Sequence, residues 1–299
     1  MKPYEQQAQL VVRVLPFIAK HECFALKGGT AINFFERDLP RLSVDIDLSY
    51  SGLEDREFAA RKINSALEEV AGSLTRIGIR AVVSGGEYSR KMVCSHGGIY
   101  IKVEPNYILR GTLFPTRKMQ VTRKVEERFG FCTMNVLSFG ELYGGKICAA
   151  LDRQHPRDLF DIAQLYQTRN LDEEIKAGFL AMALSHNRPL HELLDPNLQD
   201  NRIIYEQQFK GMTELPFSYD EHVAVFERLK RDVKHLLGDA DKRRLVEFCR
   251  TEIDASGFGI AGLEQLPGIK WKKDNLRRLK RENPDKLMKQ AELLEQALH

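Results

Sequence analysis

The sequence contains no long uncharged apolar run, although 43% of its 299 residues are hydrophobic. A helix that crosses a bilayer needs roughly 18 consecutive apolar residues, and no stretch of this chain approaches that length. The N-terminal residues MKPYEQQAQLVVRV place charges and glutamines where an export signal would be apolar. The sequence therefore predicts a cytoplasmic protein without a membrane segment.

Closely spaced cysteines and histidines are also lacking. The chain has five cysteines and eight histidines, and neither type shows the spacing of zinc ligands or of a disulfide framework. This pattern predicts a reducing compartment and no zinc site. The formal net charge of +3 is small for this length. Bulk charge therefore predicts no nucleic-acid partner, and only local basic clusters can do so.

Hydrophobic periodicity divides the chain into an α/β part and a helical part. An amphipathic helix near the N-terminus precedes strand candidates at 24–26, 43–50, 77–83, 99–103 and 132–136. A turn-rich segment with two glycine pairs separates the third and fourth of these strands. From Ser138 onward the pattern changes to successive helices. We therefore predict an α/β (α+β) fold with a mixed sheet at 1–137 and a helical domain at 138–299.

The stretch from Leu26 to Tyr50, LKGGTAINFFERDLPRLSVDIDLSY, holds two aspartates in an alternating strand pattern. The alternation directs Asp45 and Asp47 to the same face. Carboxylates this close are unfavourable without a cation, and a set of oxygen ligands suits Mg²⁺. Glu104 ends another strand candidate and would face the aspartates if the two strands are neighbours. The three acids together predict a metal site, although each alone is equally typical of a solvated surface.

A glycine pair precedes the aspartates. Gly28 and Gly29 follow a short strand candidate, and Thr30 can cap the helix that comes next. A backbone without side chains at a helix N-terminus can approach phosphate closely. Glycine pairs are also common turns, so the pair gains meaning from the aspartates that follow it. Because Mg²⁺ often takes further ligands from substrate phosphates, the combination predicts a nucleotide substrate.

These motifs resemble the core of the DNA polymerase beta-like nucleotidyltransferase superfamily. More narrowly, KGGTAINFF followed by RLSVDIDL is similar to the AbiEii/AbiGii family of toxins. This family includes the MenT-type toxins and serves bacterial toxin–antitoxin and phage-defence systems. Its second signature, a lysine-bearing helix and then an arginine–aspartate segment, matches GELYGGKICAALDRQHPRDLFDIAQL at 140–165. The resemblance implies a nucleotidyltransferase fold whose helical domain completes the active-site cleft.

The resemblance also implies roles for single residues. Asp45 and Asp47 would be catalytic metal ligands, and Asp158 and Asp161 would be the acidic pair of the second signature. Asp161 is the better match to a catalytic base. Arg41 and Ser43 match the pattern R-x-S-x-D-I-D, which implies phosphate binding or hydrogen bonds that hold the site. The expected nucleotide-binding residues are Lys27, Gly28, Gly29, Thr30, Arg41, Ser43 and Lys146.

The implied cofactor is Mg²⁺ and the implied substrate is a nucleoside triphosphate. The implied acceptor is the 3′ end of tRNA, where added nucleotides would stop aminoacylation and translation. The implied partner is a cognate antitoxin, often a regulator with a winged helix-turn-helix. Two alternatives stay open. The same site could modify a protein by nucleotidyl or phosphoryl transfer, the target being the antitoxin or the toxin itself. The chain could also be a non-catalytic nucleotide-binding module.

Two basic clusters suggest where RNA could bind. The segment Lys270–Arg281, KWKKDNLRRLKR, carries seven basic residues and the only tryptophan. The segment Arg117–Arg128 carries five basic residues and two acids. A basic run with an aromatic residue can hold an RNA backbone while the ring stacks on a base. Such runs are equally often solvated helix faces, so both interpretations remain open for each segment.

Overall fold

The computed structural model describes residues 3–299, which fall into two compact units. Among the described residues, the first unit comprises 3–138 and Gly211–Pro216, and the second comprises Phe139–Lys210 and Phe217–His299. The main segment of the first unit ends where the periodicity changes. The hydrophobic pattern gave no sign that Gly211–Pro216 returns to the first unit.

Within residues 3–299, seven strands of the first unit form one mixed sheet. They are β1 (Phe24–Lys27), β2 (Asp45–Tyr50), β3 (Arg80–Ser84), β4 (Lys91–His96), β5 (Ile99–Asn106), β6 (Arg117–Gln120) and β7 (Thr133–Val136). Their order is β3-β4-β5-β2-β1-β7-β6. The pairs β2–β5 and β1–β7 are parallel, and the other neighbours are antiparallel. The mixed sheet confirms the predicted fold class. The prediction of a turn-rich segment was wrong in one respect, because β4 lies inside it.

The helices of the first unit cover one face of this sheet. They are α1 (Pro3–Ile18), α2 (Gly28–Ala31), α3 (Arg56–Arg76) and α4 (Arg123–Phe129), and a π-helical turn at Ile32–Glu36 continues α2. Helices α1 and α3 contact each other and the sheet. The apolar stripe of α1 that the helical spacing predicts is buried. Burial of this stripe and of the inward side chains of α3 supplies the core on that side.

The sheet therefore has a covered face and an open face. The covered face of the three strands β2, β4 and β5 carries Ile46, Leu48, Met92, Cys94, Ile101 and Val103, all buried. Successive side chains of a strand alternate between faces. Asp45 and Asp47 consequently lie on the open face, where both are half-buried. This placement follows the alternation that the sequence shows.

The second unit is helical throughout its described secondary structure, apart from short turns. Its helices are α5 (Phe139–Arg153), α6 (Pro156–Tyr166), α7 (Glu173–Leu184), α8 (Leu190–Leu194), α9 (Arg202–Gln208), α10 (Tyr219–Leu236), α11 (Asp239–Cys249), α12 (Pro267–Glu282) and α13 (Pro284–Leu298). Helices α5 and α7 pack with their backbones in contact. A Cβ atom at Gly144 would lie 2.2 Å from the carbonyl carbon of Gly178, so any larger residue there would force the two helices apart.

No helix among residues 3–299 combines the length and the apolar character that crossing a membrane requires. The five cysteines are all free thiols. Burial raises the pKa of the Cys94 and Cys132 thiols to about 12, so both stay protonated at neutral pH and behave as small apolar side chains.

Candidate active site

Gly28 brings the backbone against one of the aspartates. Strand β1 ends at Lys27, and α2 begins directly at Gly28 with φ at +70°. A Cβ atom at this position would lie 2.5 Å from Oδ2 of Asp47, closer than any real Cβ contact. Both the left-handed backbone and the close approach therefore require glycine. The glycine motif and the aspartate motif meet at this point of the structure.

Gly29 packs against a second pair of predicted site residues. A Cβ atom there would lie 2.6 Å from Nη2 of Arg41 and 3.1 Å from Oγ of Ser43. Arg41 and Ser43 are buried polar residues, and Nη1 of Arg41 donates to the carbonyl oxygen of Leu42 at 2.9 Å. Arg41 and Ser43 therefore lie beside the glycines and form hydrogen bonds there. Their contact with a phosphate stays a prediction.

Thr30 does not cap a helix, contrary to the prediction. The helix begins two residues earlier, and Lys27 occupies the N-cap position without a side-chain hydrogen bond. The Thr30 hydroxyl is buried, donates to the carbonyl oxygen of Asp45 and lies 2.9 Å from the Ser43 hydroxyl. It thus joins α2 to the start of β2, because a buried hydroxyl needs internal partners.

A short segment distant in sequence holds the loop that leads into β2. The amide of Leu42 donates to the carbonyl oxygen of Met212 at 2.7 Å. The hydroxyl of Thr213 donates to the carbonyl oxygen of Pro40 at 2.8 Å. These bonds explain why Gly211–Pro216 belongs to the first unit. They fix the backbone immediately before the aspartates.

The three predicted metal ligands share one face of two neighbouring strands. Strands β2 and β5 pair in parallel, with Asp47 opposite Glu104 and Asp45 opposite Lys102. The predicted adjacency of these strands is therefore observed. Glu104 is exposed and the aspartates are half-buried. Lys102 was not singled out from the sequence, because its position opposite Asp45 follows only from the strand register.

The three acids do not form a ready-made three-ligand metal site. Among residues 3–299, no three His, Cys, Asp or Glu side chains are grouped closely enough to hold a metal ion. Two or three carboxylates on one open face are nevertheless a donor set that fits Mg²⁺. The metal role of all three acids stays a prediction.

The second signature forms a buried ion cluster within the second unit. Nζ of Lys146 on α5 lies 2.8 Å from Oδ1 of Asp158 and 2.9 Å from Oδ2 of Asp161, both on α6. Nε of Arg153 donates to Oδ2 of Asp158 at 2.7 Å. Lys146 and both aspartates are buried, with Asp161 fully inaccessible. The structure thus brings together the lysine and the acidic pair that the resemblance selects.

The charges of this cluster balance. Burial alone would raise the pKa of Asp158, but the ammonium of Lys146 and the guanidinium of Arg153 outweigh it and hold that pKa below its ordinary value. Asp158 is therefore ionised and a weak base. The role of Asp161 as the catalytic base stays a prediction. Arg153 was not singled out from the sequence. Its position at the end of α5, five residues before Asp158, was the available signal.

Several basic side chains of the cluster on α12 bind groups of the protein itself. Nζ of Lys272 is buried and donates to the carbonyl oxygen of His186 at 2.9 Å. Nζ of Lys273 is also buried and donates to the carbonyl oxygen of Ile253. Arg277 pairs with Asp254 at 3.0 Å. Trp271 is exposed, but two of the lysines beside it cannot reach an RNA backbone.

The second basic cluster is largely neutralised by acids. Four of its five basic residues form ion pairs at distances between 2.6 and 3.8 Å. The pairs are Arg117–Glu36, Arg123–Glu127, Lys124–Asp38 and Arg128–Glu5. This surface therefore carries little uncompensated positive charge, and the RNA interpretation of the cluster loses its basis.

Comparison with known proteins identifies the family to which this architecture belongs. A family model described as nucleotidyl transferase AbiEii toxin of a type IV toxin–antitoxin system matches residues 9–258. Among solved structures, MenT4, a nucleotidyltransferase toxin from Mycobacterium tuberculosis H37Rv, is similar in fold, with a TM-score of 0.57 at 16% sequence identity. That match covers 97% of this chain and 93% of MenT4. A search of curated proteins found no matching sequence. The family match spans most of the chain, and it confirms the resemblance of the motifs: this protein belongs to the AbiEii family of nucleotidyltransferase toxins of type IV toxin–antitoxin systems.

Proposed function

We propose that this toxin transfers nucleotides from a nucleoside triphosphate to the 3′ end of tRNA in a Mg²⁺-dependent reaction, and that the added nucleotides block translation. The family supplies the class of reaction. The observation that supports an active site of this kind is the contact of Gly28 with Asp47, because it joins a side-chain-free backbone to a carboxylate pair.

In the first unit, Asp45, Asp47 and Glu104 would hold Mg²⁺. When bound, the ion would neutralise phosphate charge and make the α-phosphorus more electrophilic. Gly28, Gly29 and the backbone of Thr30 would receive the triphosphate, since this backbone carries no Cβ at its closest points. The other predicted phosphate contacts are Lys27, Arg41 and Ser43.

In the second unit, Lys146 would contact the phosphates and Asp161 would accept a proton. Asp158 would keep Lys146 charged, because an ionised carboxylate at 2.8 Å favours the ammonium form. The two aspartates account for two of the three N–H donors of the Lys146 ammonium, and in this proposal the third would bind a phosphate oxygen.

The reaction follows from these roles. The 3′-hydroxyl oxygen of the acceptor forms a bond to the α-phosphorus, and the bond from that phosphorus to the pyrophosphate oxygen breaks. The proton of the hydroxyl would pass to Asp161, whose side chain is buried against Lys146 and would have to become accessible to the acceptor. Pyrophosphate leaves with its charge stabilised by Lys146. Alignment of the hydroxyl with the breaking bond is the main contribution that a protein makes to such transfers.

The test is incubation of the purified protein with total tRNA and each of the four nucleoside triphosphates, labelled at the α-phosphate or at the γ-phosphate. We expect α-label in RNA in the presence of Mg²⁺ and none after chelation. Asp47→Asn should lower transfer by at least about 100-fold, since even indirect metal partners are worth about 10- to 100-fold. Glu57→Gln, an exposed carboxylate on α3, serves as the charge-matched control and should transfer normally.

Two outcomes would contradict the proposal. Label in protein alone, or label from the γ-position alone, would indicate modification of a protein and refute transfer to tRNA. Growth inhibition that persists unchanged in Asp45→Ala and Asp47→Asn would indicate a non-catalytic nucleotide-binding module. The labelling assay and the growth assay together therefore separate the three alternatives.

The partner of the toxin follows from its family, because a toxin–antitoxin system includes an antitoxin. We propose that this antitoxin is a regulator with a winged helix-turn-helix, that the pair acts in phage defence, and that the reaction takes place in the cytoplasm, where tRNA is charged. Co-expression of the adjacent gene should restore growth in cells that produce the toxin, and continued arrest would contradict this assignment.

A further inference from the structure

The open face of the sheet continues from the carboxylates to the edge strand β3. Strand pairing sets Val82 opposite Val93, Val93 opposite Lys102, and Lys102 opposite Asp45. This row crosses four strands and therefore spans about 14 Å at the usual spacing of about 4.8 Å between strands. A parallel row sets Arg80 opposite Ser95 and Ser95 opposite Tyr100. One continuous surface thus leads to the predicted site of chemistry.

This surface is basic, aromatic and exposed. We call it the basic sheet face and define it by Arg80, Val82, Lys91, Val93, Tyr100 and Lys102. Its three basic residues are exposed, and none of them forms an ion pair with another residue in the part of the chain that the structure describes. The Tyr100 ring is 61% exposed and Val82 is 45% exposed. The ring is therefore accessible to a partner on the same face as the three basic side chains.

Within residues 3–299, the basic side chains of the basic sheet face are exposed and unpaired, unlike most of those in the two basic runs of the sequence. Lys272 and Lys273 are buried by the fold, and most of the segment Arg117–Arg128 is paired with acids. The side chains at Arg80, Lys91 and Lys102 instead remain available to an anionic partner. Phosphates neutralised by such residues supply most of the affinity for nucleic acid, and an exposed ring offers a stacking surface for a base.

We propose that the basic sheet face binds the single-stranded 3′ end of the RNA acceptor and leads it to the carboxylates of β2. Tyr100 stacks on a base, and Arg80, Lys91 and Lys102 contact the phosphates. This proposal rests on the proposed function, because it assumes that RNA is the acceptor. A flat face with an exposed ring favours a single strand over a duplex, since bases must be unstacked to reach the ring.

The test measures binding and transfer separately in the full-length protein. Binding is followed by the fluorescence anisotropy of a labelled single-stranded RNA of about 12 nucleotides that ends in CCA. Transfer is followed with total tRNA as acceptor. The test variants are Arg80→Gln/Lys91→Gln, Tyr100→Ala and Tyr100→Phe. The control is Arg76→Gln/Lys289→Gln, which removes the same charge from exposed positions on α3 and α13.

We expect Arg80→Gln/Lys91→Gln to weaken RNA binding on the order of 10-fold. It should also reduce the slope of log affinity against log salt by about 1.4, because each contact with single-stranded phosphate contributes about 0.7. Tyr100→Ala should weaken binding between about 5-fold and 100-fold, while Tyr100→Phe keeps the stacking ring and most of the affinity. The KM for tRNA should rise in parallel, and nucleotide binding should stay unchanged. Lys102 is left intact because it neighbours Asp45.

The outcomes distinguish the two proposals. RNA affinity, salt slope and KM that match those of the control variant would refute the basic sheet face and leave the proposed function standing. If the wild-type protein binds the RNA through this face but transfers no nucleotide, the face is supported and the proposed function is refuted. An unchanged RNA affinity together with a loss of self-association would assign the face to a second copy of the chain and overturn the proposal.

Discussion

Replacement of Lys146 by methionine should destabilise the second unit as well as abolish catalysis. Methionine keeps an apolar stem of similar length and removes the charge. In the wild-type protein the ammonium lies between Asp158 and Asp161, at 2.8 and 2.9 Å, and all three side chains are buried. Without it, two buried carboxylates face each other with Arg153 as the remaining cation of the cluster.

The expected loss is about 3–5 kcal/mol in the free energy of unfolding, the range measured when one member of a buried ion pair is removed. Arg153 compensates little, because its side chain is 58% exposed and solvent screens its charge. Such a loss is a large fraction of the roughly 5–15 kcal/mol that stabilises a typical domain. Arg153→Met should cost no more than about 1 kcal/mol for the same reason.

The measurement is chemical denaturation of wild type, Lys146→Met, Arg153→Met and the double variant Lys146→Met/Asp161→Asn. The double variant removes the lysine and the charge of one aspartate together, so we expect it to recover part of the stability lost in Lys146→Met. A Lys146→Met protein within about 1 kcal/mol of wild type would contradict the ion cluster, because a buried pair broken on one side costs more than this. A loss of activity in Lys146 variants is informative about phosphate binding only after it has been corrected for the fraction of protein that is unfolded.

Three further predictions follow from single contacts. The pKa of Asp158 is lower in the folded protein than in the unfolded chain. The ionised carboxylate therefore stabilises the folded state above about pH 4, and this contribution is lost as the pH falls below that value. The denaturation midpoint of the wild type should fall on acidification more steeply than that of Asp158→Asn. Gly28→Ala should lower nucleotide transfer by at least about 10-fold, because it adds left-handed strain of about 1–2 kcal/mol and displaces Asp47. Gly78→Ala is the matched control, since Gly78 has φ at +79° but open space around it, and equal transfer by the two variants would show that the contact with Asp47 is unimportant. Burial lowers the pKa of Lys272 to about 8 in the folded protein, so above this pH the unfolded state binds more protons than the folded state. The free energy of unfolding of the wild type should therefore rise between about pH 8 and about pH 10 relative to that of Lys272→Met. Parallel curves of stability against pH for the two proteins would refute this prediction.

Local pattern predicted much of the first unit. Strict alternation located Asp45 and Asp47 on one face, and the helical spacing located the core stripe of α1. The prediction failed at β4, where two glycine pairs were interpreted as marks of an irregular segment. Gly85, Gly97 and Gly98 instead have positive φ values and form the tight turns on either side of the strand. The short apolar run at 92–94 with polar residues on both sides was the signal for a strand, and glycine before and after it supported that interpretation.

The candidate site depended on contacts that no local pattern contains. The hydroxyl of Thr30 donates a hydrogen bond to the first residue of β2. The loop before β2 is held by a hydrogen bond to Met212, about 170 residues away in the chain. The resemblance of the second signature to the family implied that its lysine and aspartates share a function. It could not reveal that they neutralise one another in a buried cluster. Pairwise burial of charge depends on how α5 and α6 pack, and packing is a tertiary property.

Basic residues show most clearly what a local sequence pattern cannot predict. A run of lysines and arginines along a helix repels itself, so a fold gains stability by pairing these charges with acids or by burying the long aliphatic stems. Both happen in this chain, at Arg117–Arg128 and at Lys272 and Lys273. Arg80, Lys91 and Lys102 stand 11 residues apart in the sequence and form no run. Only the register of β3, β4 and β5 assembles them on one face. A surface built across strands escapes any search for charged segments, whereas unpaired charge in the folded protein identifies it directly.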